Sequence, residues 1–137
     1  MDASTELEDL TRRFYDALSR GDIGFIEHVT SKKDEFLMVG TDPDEWWADR
    51  ADYLRVARAQ LEEVSGVRLV AGDLRGHAEG AIGWVTDRPR LLLPDGSELH
   101  MRLTAVYHRD DADWKLIHAH HSLGVSNEQA IGRTLTT

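Results

Sequence analysis

The chain has 137 residues, which favours one domain with a sizeable core. Its 25 acidic and 16 basic residues give a net charge of −9, and the basic residues are scattered, so we expect no nucleic-acid partner. The absence of cysteine excludes disulfides and thiolate metal sites. The N-terminus lacks the apolar run of a signal peptide, and no stretch reaches the ~18 apolar residues of a membrane span. These features predict a cytoplasmic protein without a membrane partner.

Apolar residues at helical spacing predict three helices in the first half of the chain. The first begins at a capping box formed by Thr5 and Glu8, and it ends at Gly21. A short second helix follows at once, and the third runs roughly over residues 49–64. A short apolar strand over residues 36–39 lies between the second and third helices.

From residue 67 onward the pattern alternates with period two, which is typical of strands. It predicts four of them, near residues 67–75, 78–93, 98–109 and 113–124, with turns at Gly76, at residues 94–96 and at residues 110–113. Pro89 should break the second strand, because proline cannot donate to a ladder. Helices followed by antiparallel strands predict an α+β fold with the helices on one face of the sheet. We assign residues 1–125 to one domain and 126–137 to a polar tail with weak structure.

Alternation along the last two strands separates two faces of the sheet. The odd positions form an almost continuous apolar surface, which the helices should cover, and comprise Leu99, Met101, Leu103, Ala105, Tyr107, Lys115, Ile117, Ala119, His121 and Leu123. The even positions mix apolar and hydrogen-bonding groups as a dimer contact does, and include Arg102, Thr104, Val106, Trp114, Leu116, His118 and His120. We therefore predict a homodimer formed through the outer face.

The segment "WKLIHAHHS", residues 114–122, contains three histidines in four positions. His118 and His120 have the spacing of a metal-ligand pair on a strand, and His100 on the neighbouring strand could supply a third imidazole. Arg102 should share their face, however, and a fixed positive charge opposes a divalent ion. No carboxylate is placed to orient the imidazoles. We expect no metal.

The order of helices and strands, "GD" after the first helix, "GTDPDEWW" before the third, and the closing "AVYHRDDADWKLIHAHHSLGVSNEQ" resemble the SnoaL-like branch of the nuclear transport factor 2-like superfamily. The segments "VYHRD" and "WKLIHAHHS" are also similar to the association (hub) domain of calcium/calmodulin-dependent protein kinase, a member of the same superfamily. The resemblance implies a cone, in which a strongly curved antiparallel sheet wraps around three helices and encloses a pocket. It also implies dimerisation through the outer sheet face.

The ketosteroid isomerases of this superfamily use a tyrosine on the first helix, a base after an early strand and a protonated acid on an inward sheet position. Phe14 stands where the tyrosine should fall, with Tyr15 about 100° further round the helix. Asp42 lies near the position of the base. The inward positions that match the acid are apolar, being Met101, Leu103 and Ala105.

His121 is the strongest candidate for chemistry. On an apolar inward face its pKa should be lowered by desolvation, which suits a general base or a hydrogen-bond partner for a ligand, although a core histidine bonded to a backbone carbonyl has the same pattern. Asp42 is a second candidate base, although the carboxylate of an Asp-Pro turn usually bonds its own backbone. The predicted pocket also includes Trp47, Tyr53, Trp84 and Tyr15, and we expect no cofactor.

Two hypotheses for function remain. The first is a dimeric protein that binds a small, largely apolar molecule, with the isomerase- or cyclase-like acid–base chemistry that the resemblance implies. The second is a non-catalytic dimerisation or assembly module with a vestigial pocket.

Overall fold

Four helices and nine strands make up the protein in the computed structural model, which describes residues 1–137. The helices are α1 (Thr5–Arg20), α2 (Ile23–Val29), α3 (Arg50–Glu63) and α4 (Asn127–Ile131). The strands are β1 (Asp2–Ala3), β2 (Leu37–Val39), β3 (Trp46–Trp47), β4 (Arg68–Val70), β5 (Arg75–Glu79), β6 (Ile82–Asp87), β7 (Arg90–Leu92), β8 (Glu98–Asp110) and β9 (Asp113–Leu123). The predicted α+β class is confirmed, and the tail, for which only weak structure was predicted, contains the short helix α4.

The three predicted helices are confirmed, but the predicted capping box is wrong. The N-cap of α1 is Ser4, whose hydroxyl accepts the backbone N–H of Leu7 at 3.3 Å. The side chain of Glu8 instead accepts the backbone N–H of Gly76 at 3.0 Å, which ties the helix to β5. Gly21 ends α1 in the left-handed region with φ 69°.

The main path of the sheet has the order β1-β5-β6-β8-β9-β2-β3, and β4 joins it through β7, which pairs with β8. Every pair is antiparallel except β2 and β9, so the sheet is mixed. The interruption at Pro89 separates β6 from β7 as predicted. The turn predicted at Gly76 lies instead at Gly80, whose φ is 61°. Gly76 is inside β5, where a Cβ atom would lie 2.6 Å from the carbonyl oxygen of Ser4.

A bulge in β9 reverses the predicted faces along half of that strand. Val106 pairs with His118, whereas the next residue, Tyr107, pairs with Leu116, so Ile117 is an extra residue without a partner. Because one extra residue reverses the inward and outward alternation, Trp114 and Leu116 point into the core, where they are 7% and 1% exposed. Their assignment to the dimer face is therefore corrected.

The core lies between the concave face of the sheet and the helices α1 and α2. Its central members on β8 are Met101, Leu103, Ala105 and Tyr107, as the alternation predicted, and they pack with residues such as Leu7 on α1. The ends of the predicted apolar surface, Leu99 and Leu123, are exposed. No helix has both the length and the apolar character needed to cross a bilayer.

Candidate functional site

A cavity of about 410 Å³ lies between the concave face of the sheet, α1 and α3. Eleven of its 18 lining residues are hydrophobic, namely Phe14, Leu18, Trp47, Tyr53, Ala57, Leu61, Val64, Val67, Leu69, Leu91 and Met101. The others are Ser19, Gly40, Thr41, Glu45, Gln60, Glu63 and His121. This volume and this largely apolar lining are typical of small-molecule sites.

His121 faces the cavity from β9, opposite the buried Leu103 on β8. Its Nε2 atom is buried and makes no hydrogen bond. Burial, reinforced by the charge of His120 and partly opposed by Glu45, lowers the pKa of His121 from 6.5 to about 4. The imidazole is therefore neutral at pH 7, and this cavity-lining residue has a buried nitrogen without a hydrogen-bond partner.

Glu45 is a cavity residue that sequence reasoning missed, because a carboxylate shortly before a helix is typical of a favourable interaction with the helix dipole. The side chain lies over Gly40, where a Cβ atom would come within 2.8 Å of it. Its Oε1 accepts the backbone N–H of Asp42 and its Oε2 accepts the side-chain N–H of Gln60, both at 2.9 Å. The sequence could have indicated this position, because Glu45 is two residues before Trp47 in an extended segment and the two side chains therefore point to the same, inward side.

Asp42, the second candidate base, does not line the cavity. Its side chain is exposed, and Oδ1 accepts the backbone N–H of Asp44 at 2.9 Å. This is the local turn bond that an Asp-Pro sequence favours. The structure therefore corrects the assignment of Asp42 to the pocket.

Two aromatic residues form one wall of the cavity. The rings of Trp47 and Tyr53 meet edge to face, with centroids 5.7 Å apart. Burial raises the pKa of Tyr53 above its ordinary value, so its hydroxyl stays protonated. Trp84 is not part of this wall, because its neighbours on β6 face inward and it faces outward, stacked on His77 at 5.7 Å.

Tyr15 also lies outside the cavity lining, in a buried cluster of hydrogen bonds. Its hydroxyl donates to Oδ2 of Asp87 at 2.9 Å, and burial together with that carboxylate raises the pKa of Tyr15 above its ordinary value. Asp87 also accepts the backbone N–H groups of Gly72, Asp73 and Arg88, at 2.6 to 3.1 Å. The side chains of Tyr15 and Asp87 therefore hold adjacent loops together.

Asp87 is an inward acid that sequence reasoning missed, because the search for one covered only β8 and β9. The sequence feature that could have identified it is its odd position in the alternating pattern of β6, which it shares with the inward residues Gly83 and Val85. It does not replace the acid of the isomerases, since it lies outside the cavity lining. Phe14 lines the cavity from α1 and presents no hydroxyl to it.

The two outward histidines of β9 have different surroundings. His118 Nδ1 lies 2.8 Å from the carbonyl oxygen of Leu37, and His120 is exposed. No group of three or more His, Asp or Glu side chains is close enough to hold a metal ion.

Comparison with solved structures identifies the fold. An NTF2-like protein of unknown function from Pseudomonas putida KT2440 is similar with a TM-score of 0.80 and 22% identity, over 98% of this chain and 96% of that chain. A candidate dehydratase of the NTF2-like family from Streptomyces avermitilis also has a TM-score of 0.80, with 18% identity over 88% of this chain and 95% of that chain. A candidate calcium/calmodulin-dependent protein kinase type II association domain from Thiobacillus denitrificans has a TM-score of 0.75 and 17% identity, over 86% and 94% of the two chains. At such identities the likeness establishes the cone fold alone.

A comparison with curated proteins gave no significant match. Residues 7–126 match the SnoaL-like domain, a span that includes α1 from its third residue, α2, α3 and every strand from β2 to β9. The chain therefore belongs to the SnoaL-like domain family and has the NTF2-like cone fold.

Proposed function

We propose that the cavity binds a small, largely apolar molecule that carries one polar group, and that His121 is the hydrogen-bond partner of that group. The observation that carries the proposal is the buried, unpartnered Nε2 of His121 in a mainly hydrophobic cavity. A buried polar atom without a partner costs about 1–3 kcal/mol. A ligand that bonds to this nitrogen would recover that free energy and bury its apolar body at the same time.

Binding fits the site better than isomerase- or cyclase-like acid–base chemistry. A general base works best when its pKa is near the working pH, whereas the pKa of His121 is lowered to about 4. Phe14 provides no hydroxyl to stabilise an oxyanion.

Thermal unfolding in the presence of cyclic ketones, alcohols and amines tests the proposal. Ligand binding to the folded state should raise the melting temperature of the wild type in a saturable way. His121→Leu should abolish that rise, whereas the matched variant His120→Leu, changed at the exposed neighbouring position, should retain it. The proposal fails if no probe stabilises the wild type, or if His121→Leu responds as the wild type does.

We also propose that the protein forms a homodimer through the outer face of the sheet. One row of that face crosses five paired strands and contains Leu37, His118, Val106, Trp84 and His77. Trp46 and Ile82 flank this row and are 65% and 50% exposed. Of the residues predicted for the contact, Arg102, Thr104, Val106, His118 and His120 remain on this face. A contiguous surface of aromatic, aliphatic and imidazole groups is typical of the centre of a protein–protein contact.

Val106→Glu tests the dimer, because it would bury a carboxylate in the contact without a partner. Sedimentation should find a dimer for the wild type and a monomer for this variant. Arg58→Glu, on an exposed position of α3, is the control and should leave the dimer intact. A monomeric wild type, or a Val106→Glu dimer, would contradict the proposal.

A further inference from the structure

The charged side chains that line the cavity are all acidic. Glu45 and Glu63 contribute carboxylates, and none of the 18 lining residues is lysine or arginine. Building on the proposed binding function, we propose that the polar group of the ligand is a protonated amine, so that the cavity selects small apolar ammonium compounds over alcohols, ketones and carboxylates.

Glu45 is fixed in place while its charge remains uncompensated. The absence of a side chain at Gly40 makes room for it, and the bonds from Asp42 and Gln60 fix its two oxygens. No lysine, arginine or histidine lies within ion-pair distance of it. Because the two oxygens of a carboxylate offer about four acceptor positions, two hydrogen bonds leave capacity for a donor from a ligand.

His121 supplies a second acceptor in the same region. When the proton of the neutral imidazole is on Nδ1, Nε2 is the acceptor, and this buried atom has no partner. Glu45 is near enough for its charge to influence the titration of His121. An ammonium group has three N–H donors and can satisfy both acceptors at once, whereas a hydroxyl has only one. A carbonyl or a carboxylate has no proton to donate, and a carboxylate would also be repelled by Glu45.

The aromatic wall and the charge of the whole protein favour the same ligand class. Trp47 and Tyr53 present rings to the cavity, and a cation near an aromatic face gains roughly 0.5–2 kcal/mol. Leu18, Leu61 and Leu91 provide apolar surface for the remainder of the molecule. The net charge of −9 attracts cations toward the protein.

Calorimetric titration with three probes of similar size tests the inference, namely 2-phenylethylamine, 2-phenylethanol and 3-phenylpropanoate at pH 7. The amine should bind the wild type at least about tenfold more tightly than the alcohol, since a hydrogen bond between charged groups is about twice as strong as one between neutral groups. The carboxylate should not bind. Glu45→Gln keeps the size of the side chain and removes its charge, so it should lower the affinity for the amine to about that of the alcohol.

Glu62→Gln is the matched control, because it removes the same charge from an exposed position on α3, next in sequence to Glu63, that does not line the cavity. It should retain the preference for the amine. Added salt should weaken the binding of the amine to the wild type and leave that of the alcohol unchanged, which tests the charge interaction even if Glu45→Gln does not fold. Equal binding of the amine and the alcohol to the wild type would overturn this inference and leave the proposed function standing. Failure of all three probes and of the ketones would overturn both.

Discussion

Replacing His121 by leucine should change how the stability of the protein depends on pH. The pKa of His121 is lowered from 6.5 to about 4 by burial, so below pH 6.5 the unfolded chain binds a proton that the folded protein does not. The contribution of neutral His121 to stability is therefore fully present above pH 6.5, and it is lost as the pH falls toward 4. His121→Leu has no such group and should not suffer this loss.

The size of the effect follows from the two pKa values. One pH unit of difference corresponds to about 1.4 kcal/mol, so the interval from 6.5 to about 4 corresponds to about 3 kcal/mol. The free energy of unfolding of the wild type should thus fall by about 3 kcal/mol more than that of His121→Leu between pH 7 and pH 4. Urea denaturation at several pH values measures the free energy of unfolding of both proteins. The difference between them removes the pH dependence of the titratable groups that the two proteins share.

His28→Leu provides the control, because this exposed imidazole on α2 is not among the groups that influence the pKa of His121. The stability of this variant should follow that of the wild type between pH 7 and pH 4. If the curves for wild type and His121→Leu stay parallel over this range, the imidazole is accessible to protons in the folded protein. The account of His121 as a buried neutral group would then be refuted, and with it the main support for the proposed binding site.

Two further predictions concern the buried cluster around Asp87. Asp87→Ala leaves three backbone donors and the Tyr15 hydroxyl unpaired, so it should lower the free energy of unfolding by more than about 4 kcal/mol. Tyr15→Phe removes only one bond to the carboxylate and should lower it by about 1.5–3 kcal/mol. Equal losses of stability in chemical denaturation would contradict this order. Gly72→Ala should lower the melting temperature strongly, because its Cβ atom would overlap the carbonyl oxygen of Arg88, while Gly124→Ala, with no atom within 4 Å of its Cβ, should have little effect.

The sequence by itself determined most elements of this protein and much of its interior. Helical and alternating periods are local properties, so they predicted α1 to α3, the strands β2, β8 and β9, and the break at Pro89. They did not show β1, β3 or α4, and they placed a turn at Gly76, inside β5. They also identified the inward residues of β8. The inward direction of His121 was predicted because it pairs with Leu103 beyond the bulge, where the alternation of the two strands still agrees.

Only the tertiary structure decided how distant segments meet. The extra residue at Ile117 is a property of the pairing between β8 and β9, and no periodicity in one strand alone shows which positions will be paired. The parallel contact of β2 with β9 and the bond between Tyr15 and Asp87, which are 72 positions apart, likewise depend on the path of the chain. The cavity position of Glu45 has the same origin, because it depends on the close approach of Glu45 to Gly40 and on a donor that α3 supplies.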